Sequence, residues 1–179
     1  MGFSREPKSS KRFRLVRFFR GDWQITLLDA GVLRLDGGAM FGVVPRPIWE
    51  KERPPDARNR IRLGMNVLLL EDGKRRILVD AGAGTKWNAK MSDIYGLEPR
   101  APVEMLAPAG LTPEQIDLVV NTHLHFDHAG GNTLEDAAGN LVPAFPNARY
   151  VVQRGEIDTA RAGSELSRAS YLPENYEPL

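Results

Sequence analysis

The chain of 179 residues contains no cysteine, which excludes disulfide bonds and thiolate metal ligands. It also lacks a long apolar run: the longest, residues 67–70, has the length of a strand, whereas a membrane-spanning helix needs roughly 20 apolar residues. The first residues include no apolar stretch of the kind found in secretory signal peptides. These absences favour a cytoplasmic protein, and we expect no membrane partner.

Histidine is scarce as well, and all three histidines lie within residues 123–128. Imidazole and carboxylate are ligands that suit zinc, iron or manganese. In an extended segment, side chains two residues apart point the same way, so His123 and His125 can converge on one cation. Asp127 and His128 follow in a turn, where they can face a second cation that shares a bridging hydroxide with the first. The alternative is a chance cluster in which Asp127 caps a helix.

Charge is distributed unevenly along a chain whose net charge is only +1. The first twenty residues carry one acidic residue, Glu6, and seven basic ones, and the rest of the chain is acidic on balance. Such an arm, assigned to residues 1–21, can contact nucleic acid or anionic lipid, but solvated tails are the commoner use of charge runs. No aromatic-interleaved binding surface is evident after it, so we expect no nucleic-acid partner.

Turn signals and apolar patterns predict a layered α/β domain over residues 22–170, followed by a tail at 171–179 without a packing role. The firmest element is a β-hairpin, whose strands at 61–70 and 75–80 are joined through the Asp72-Gly73 pair. An apolar strand at 116–120 is expected to deliver the histidines at its carboxyl end. We also predict strands at 23–29 and 149–153, helices near 103–106, from 112 and over 155–167, a loop at 37–42 and a proline-rich loop at 44–56.

Residues 122–131, Thr-His-Leu-His-Phe-Asp-His-Ala-Gly-Gly, resemble the signature of the metallo-β-lactamase-fold hydrolases. Residues 77–82, Ile-Leu-Val-Asp-Ala-Gly, resemble the strand and Asp-x-Gly segment that lies under the metal site in that superfamily. Residues 36–45 and Trp49 resemble the lactonase-type branch, which includes quorum-quenching acyl-homoserine lactonases.

The resemblance implies a four-layered αββα sandwich of which this chain supplies mainly the N-terminal half. It assigns His123 and His125 to one divalent metal ion and Asp127 and His128 to the other; zinc is the expected metal, with iron or manganese as alternatives. Asp127 would also pass a proton to the leaving group, and Asp80 would orient a ligating histidine. The implied activity is hydrolysis of a lactone or related ester by a metal-bridging hydroxide.

The chain departs from the family pattern after His128, because no further histidine follows to complete either metal site. Glu156, Asp158 and Glu165 are expected on a solvated helix face. We therefore interpret the chain as the N-terminal part of a longer hydrolase. The alternatives are an inactive fragment that needs a partner chain or forms a homo-oligomer, and a thioester hydrolase of the glyoxalase II type or a nuclease. Four large apolar residues are expected in the core more than in an acyl pocket: Met40, Phe41, Trp49 and Trp87.

Overall fold

The computed structural model describes residues 16–163 and 168–179. Its strands are β1 (Val16–Arg20), β2 (Trp23–Asp36), β3 (Arg60–Glu71), β4 (Arg76–Val79), β5 (Glu98–Pro99), β6 (Leu118–Val120), β7 (Thr133–Glu135), β8 (Leu141–Pro143) and β9 (Arg149–Val151). Seven of them form one sheet in the order β1-β2-β3-β4-β6-β9, with β5 paired to β2, while β7 and β8 form a separate hairpin. The fold is therefore mixed α/β, as expected.

Six α-helices accompany the sheet in the described residues, and most are short. They are α1 (Gly37–Phe41), α2 (Arg46–Glu52), α3 (Ala89–Ile94), α4 (Pro102–Leu106), α5 (Phe126–Ala129) and α6 (Arg154–Ala162). Within residues 16–163 and 168–179, none of these helices has the length and apolar character needed to cross a membrane.

The direction of the strands determines where the histidines lie. Strands β1 to β4 pair in antiparallel fashion, whereas β4, β6 and β9 run parallel to one another. Because parallel strands end at the same edge of a sheet, Asp80 after β4 meets the segment that follows β6. The backbone N–H of Asp80 donates to the carbonyl oxygen of Val120 at 2.9 Å. The prediction that a strand delivers the histidines at its carboxyl end is confirmed, but β6 is shorter than the expected 116–120 and only Val119 of its three residues is buried.

The two faces of the main sheet differ in burial. One face carries the core, and its central side chains are fully buried: Leu28, Val67, Leu69, Leu78 and Val119. The strand register aligns two aliphatic rows on the other face. These side chains are only partly buried: Ile25, Leu70, Ile77 and Leu118 in one row, and Leu27, Leu68, Val79 and Val120 in the other.

The predicted hairpin at 61–80 is confirmed as β3 and β4, but the predicted loops at 37–42 and 44–56 are wrong because each contains a helix. Helix α1 begins after Asp36, whose Oδ1 accepts the backbone N–H of Ala39 at 2.9 Å. Helix α2 carries Pro47 in its first turn, where the missing N–H costs nothing. Trp49 of α2 is buried and stacks on Phe41 at 5.1 Å.

Several element boundaries also differ from the predictions. The helix expected from residue 112 is a single 3₁₀ turn, Pro113–Gln115, although Gln115 does cap it by accepting the N–H of Thr112. The helix expected over 155–167 is α6, and residues 164–167 lie outside the described part.

Both ends of the expected domain are structured where they are described. Residues 1–15 of the expected arm lie outside the described residues, but Val16–Arg20 form β1. The expected tail packs against the domain, since Asn175 and Tyr176 are buried. The hydroxyl of Thr133 also donates to the carbonyl oxygen of Glu174 at 2.7 Å.

Candidate metal centre

The histidine loop, defined here as residues 121–132, connects β6 to β7 and contains α5. It brings the four candidate ligands together. The ring centroid of His123 lies 4.6 Å from that of His125 and 4.0 Å from that of His128. Asp127 and His128 sit side by side on α5, with 3.4 Å between Asp127 Oδ2 and His128 Nε2.

That last distance fits ligands of a single ion. Two donors at about 2.0–2.1 Å from a tetrahedral zinc lie roughly 3.3–3.4 Å apart. The chemistry of all four donors also suits a divalent metal. Within the described residues, however, no three His, Cys, Asp or Glu side chains are arranged to hold one ion. The histidine loop therefore supplies a partial donor set that fits a metal centre without closing it.

Asp80 is the anchor of the centre, and it is buried at 7% exposure. Its carboxylate accepts hydrogen bonds from the backbone N–H of Thr122 at 2.8 Å and from the hydroxyl of Thr122 at 2.9 Å. Asp80 Oδ2 also lies 2.8 Å from Nδ1 of His128. This is the contact expected of a carboxylate that orients a ligating histidine. The same residue adopts a positive φ of 64°, which turns the chain immediately after β4.

The hydrogen bonds around Asp80 define which ring nitrogens are available. A carboxylate only accepts, so His128 donates from Nδ1, and Nε2 is the ring nitrogen that remains for a metal ion. The single proton of the Thr122 hydroxyl goes to Asp80, so its oxygen accepts from Nδ1 of His123, 3.1 Å away. Both imidazoles therefore present Nε2, and Asp80 orients His128 directly and His123 through Thr122.

Charge at the site is unevenly distributed among the ligands. Burial alone would lower the pKa of His128, but the hydrogen bonds that it donates to Asp127 and Asp80 outweigh burial and raise the pKa to about 9. Burial and the neighbouring His128 and His125 lower the pKa of His123. Burial opposes ionisation of Asp127, yet His128 lowers its pKa on balance. At neutral pH the metal-free site thus holds Asp127 ionised and His128 protonated, so a metal ion would have to replace the proton on Nε2 of His128.

Close backbone packing explains the glycines of the histidine loop. The N–H of Ala81 donates to the carbonyl oxygen of His128 at 2.7 Å, and the N–H of Gly131 donates to that of Gly82 at 2.9 Å. A Cβ on Gly130 would collide with the carbonyl of Ala83, and a Cβ on Gly131 with that of Ala81. Neither residue has a positive φ, so a sharp turn is not what requires glycine here. Close approach of two chain segments is the reason instead.

Two residues that support the histidine loop were not identified from the sequence. Glu156 of α6 was expected on a solvated face, but its Oε1 accepts the N–H of Leu124 at 2.9 Å. Tyr171, assigned to the tail, packs edge-on against the ring of His125 at 4.7 Å. No local pattern marks either contact, because each joins distant parts of the chain. Of the other two carboxylates considered, Asp158 is exposed and Glu165 lies outside the described residues.

Buried amides close the two ends of the histidine loop. Asn121 and Asn132 exchange side-chain hydrogen bonds at 2.9 and 3.3 Å, and both are buried. Asn132 also reaches the carbonyl oxygen of Asn175 at 3.4 Å. The C-terminal residues are thus part of the support of the loop.

Lys86 was also not identified from the sequence. Its Nζ donates to the carbonyl oxygens of Gly130 at 2.6 Å and of Thr133 at 2.8 Å. Burial lowers the pKa of this ammonium to about 8. The ring centroid of the neighbouring Trp87 lies 5.1 Å from that of Phe126, and its indole N–H donates to the carbonyl oxygen of Ala83. Trp87 therefore also supports the histidine loop. Met40, by contrast, is 47% exposed and is not a core residue.

Comparison with known proteins identifies the family to which this chain is similar. The profile of the metallo-beta-lactamase superfamily matches residues 61–164. An N-acyl homoserine lactonase of Bacillus cereus is 31% identical over 132 residues, which are 66% of this chain and 48% of that protein. A second such lactonase, from Bacillus sp., is 37% identical over 76 residues, which are 42% of this chain and 26% of that protein. The matches thus span at most about half the length of these curated relatives.

Solved structures of metal-dependent hydrolases are similar to this chain in fold. A probable metal-dependent hydrolase from Staphylococcus aureus superposes with a TM-score of 0.77 and 38% identity, over 86% of this chain and 55% of that one. The dizinc quorum-quenching lactonase AidC superposes with a TM-score of 0.63 over 84% of this chain and 48% of that one. Its 22% identity establishes similarity of fold alone.

Proposed function

This chain belongs to the metallo-β-lactamase superfamily, and from that premise we propose that it forms part of a metal-dependent hydrolase that opens a lactone or a related ester. The observation that carries the proposal is the arrangement around Asp80, which engages His128 directly and His123 through Thr122 by their Nδ1 atoms and leaves Nε2 of His128 3.4 Å from Oδ2 of Asp127. A site built to hold imidazoles by their Nδ1 atoms leaves their Nε2 atoms for metal ions.

The residues divide into two proposed pairs. His123 and His125 would hold one ion, and Asp127 and His128 the other, with zinc as the proposed metal. When bound, such ions polarise a carbonyl group and make water nucleophilic near neutral pH. Asp127 has a lowered pKa and is therefore a carboxylate at rest. It would accept the proton released by the attacking water and return it to the departing oxygen of the ring.

The lactone as substrate class is supported by the lactonases of Bacillus, whose matched parts are 31–37% identical to this chain. A second candidate is a catalytically incomplete chain that needs its missing half or a partner. It is favoured by the lack of a three-donor site within the described residues and by the partly exposed aliphatic rows of the sheet. The same superfamily also includes thioester hydrolases and nucleases, so other ester-like substrates belong in the test.

The test measures ring opening of an acyl-homoserine lactone by the purified chain supplied with zinc, manganese or iron. A thioester and a single-stranded oligonucleotide serve as competing substrates. We expect the lactone to be opened and Asp127→Asn to abolish turnover, whereas Asp158→Asn, which removes an exposed carboxylate of α6, should have no effect. Turnover of the thioester or oligonucleotide alone would contradict the lactonase proposal. Lack of any turnover by a folded, metal-loaded chain would favour the incomplete chain.

A further inference from the structure

The edge strand β1 exposes two adjacent aromatic side chains between two arginines. Phe18 is 49% exposed and Phe19 is 72% exposed, and Arg17 and Arg20 are exposed on either side of them. Single exposed apolar residues are ordinary on protein surfaces. Two neighbouring phenylalanines on a strand that pairs, among the described strands, only with β2 form a more concentrated apolar surface.

A second turn extends this surface. Gln24 pairs with Glu71, so the turn after β1 lies beside the turn that joins β3 to β4. The guanidinium of Arg75 lies 5.7 Å from the ring centroid of Trp23 across the two turns, and it is paired with the carboxylate of Asp72 at 2.9 Å. We call this surface the basic–aromatic patch; it consists of Arg17, Phe18, Phe19, Arg20, Trp23 and Arg75.

The basic–aromatic patch lies away from the candidate metal centre. Strand β4 starts at Arg76, next to the patch, and leads to Asp80 at the centre. Four residues of strand span about 13 Å, at roughly 3.3 Å per residue. None of the patch residues contacts a candidate ligand, so any function of the patch is separate from the proposed hydrolysis.

The need to protect a sheet edge from pairing with other chains explains the arginines of the patch but not its phenylalanines. Charged residues on an edge strand discourage pairing with other chains, which explains Arg17 and Arg20. It does not explain Phe18 and Phe19, which would promote association. Pairing of β1 with a second copy would bring like charges together, and such contacts are unfavourable. The charge of the patch therefore favours an anionic partner.

The direction of the two phenylalanines distinguishes between anionic partners. Successive side chains of a strand point to opposite faces, so Phe18 and Phe19 cannot form one platform for stacked bases. An edge that enters a membrane surface brings both rings into the interfacial region at once. Arginine side chains beside them can reach the phosphate groups, which is the combination found at membrane interfaces.

We propose that the basic–aromatic patch binds the surface of an anionic phospholipid membrane, with Phe18 and Phe19 inserted and Arg17 and Arg20 on the lipid phosphates. The basic residues of positions 1–15 add positive charge next to the patch in the sequence. The expectation of no membrane partner rests on the lack of a segment that can span a bilayer, but interfacial binding needs no spanning segment.

The test is sedimentation of the full chain with vesicles of phosphatidylcholine, with and without phosphatidylserine, at low and high salt. We expect about tenfold tighter binding to the vesicles that contain phosphatidylserine and loss of this preference at high salt. Phe18→Ser with Phe19→Ser should weaken binding about tenfold, in line with loss of inserted apolar area. The matched control, Val43→Ser with Ile48→Ser, removes exposed apolar side chains from elsewhere and should bind like the parent.

Three results would overturn the proposal. Equal binding to both kinds of vesicle would show that the arginines do not bind anionic lipid. Unchanged binding of the variant Phe18→Ser with Phe19→Ser would show that the two rings do not insert. Binding to single-stranded RNA without binding to vesicles would identify a nucleic-acid surface instead. Circular dichroism of each variant checks folding, and metal-free protein should bind vesicles equally well, which separates this test from that of the hydrolase.

Discussion

The two proposed ligand pairs of the histidine loop differ in how firmly the rest of the chain holds them. Asp127 and His128 lie on α5, and Asp80 bonds directly to Nδ1 of His128. His123 is held only through the exposed hydroxyl of Thr122, and the ring nitrogens of His125 have no hydrogen-bond partner among the described residues. His125 instead packs edge-on against Tyr171.

This difference indicates the order in which the two metal ions bind. A pair whose geometry is fixed before the metal arrives loses less conformational freedom on binding. We therefore expect the Asp127–His128 pair to bind the first ion and the His123–His125 pair to depend on groups from outside the described residues. Substitutions that act on one pair and spare the other can test this comparison.

Gly131→Ala should have the largest effect because it would disrupt both pairs together. Its Cβ would meet the carbonyl of Ala81 in a closely packed region, and overpacking of this kind costs about 1–3 kcal/mol. We expect a lower midpoint in thermal or urea unfolding and loss of metal binding. Gly64→Ala is the matched control, since Gly64 is exposed and has only Asn66 side-chain atoms nearby, at 3.8 Å or more. Equal stability of the two variants would refute the packing argument.

Asp80→Asn should weaken metal binding about 10–100-fold, the usual cost of losing a residue that orients a ligand. An amide has one acceptor oxygen and cannot serve both Thr122 and His128. Isothermal titration of the metal-free variant with zinc measures the change, with Asp22→Asn in an exposed turn as the control. An affinity equal to that of the parent would show that Asp80 does not organise the centre.

Thr122→Val should have a smaller effect, less than about tenfold on affinity, because its hydroxyl supports only the His123 side. The direct readout is nitrogen NMR of the imidazoles, which is simple in a chain with three histidines. We expect the preference for the Nδ1-protonated form of His123 to be lost, while Nδ1 of His128 stays protonated. A change at His128 of the same size would contradict the separation of the two pairs.

The pH dependence of the metal-free chain should be smaller still. The pKa of His128 is raised from 6.5 to about 9, so its contribution to stability is complete below pH 6.5 and is lost as the pH rises through about 9. We expect a decline in the free energy of unfolding of no more than about 1 kcal/mol, because a side chain that is one-third exposed is screened by solvent. In an NMR titration His128 should keep its proton to higher pH than His123; the reverse order would be inconsistent with the hydrogen bonds to Asp80.

Local patterns in the sequence were sufficient to predict the hairpin at 61–80 and the close grouping of the candidate ligands in the histidine loop, because turn chemistry and residue spacing are both local. They failed at α2, where prolines suggested a loop but one of them occupies the first turn of a helix. They also missed Glu156, Lys86 and Tyr171, whose contacts with the histidine loop depend on the tertiary fold. Asp80 was identified only through the family resemblance.

We propose that this chain supplies two donors to each of two metal positions and that Asp80 organises one of the pairs. The decisive measurement is the zinc content after dialysis, made beside a calorimetric titration of the metal-free chain. We expect the chain to retain fewer than two zinc ions and Asp80→Asn to bind zinc more weakly than the parent. Two ions retained by the parent chain, and equally by Asp80→Asn, would contradict the proposal.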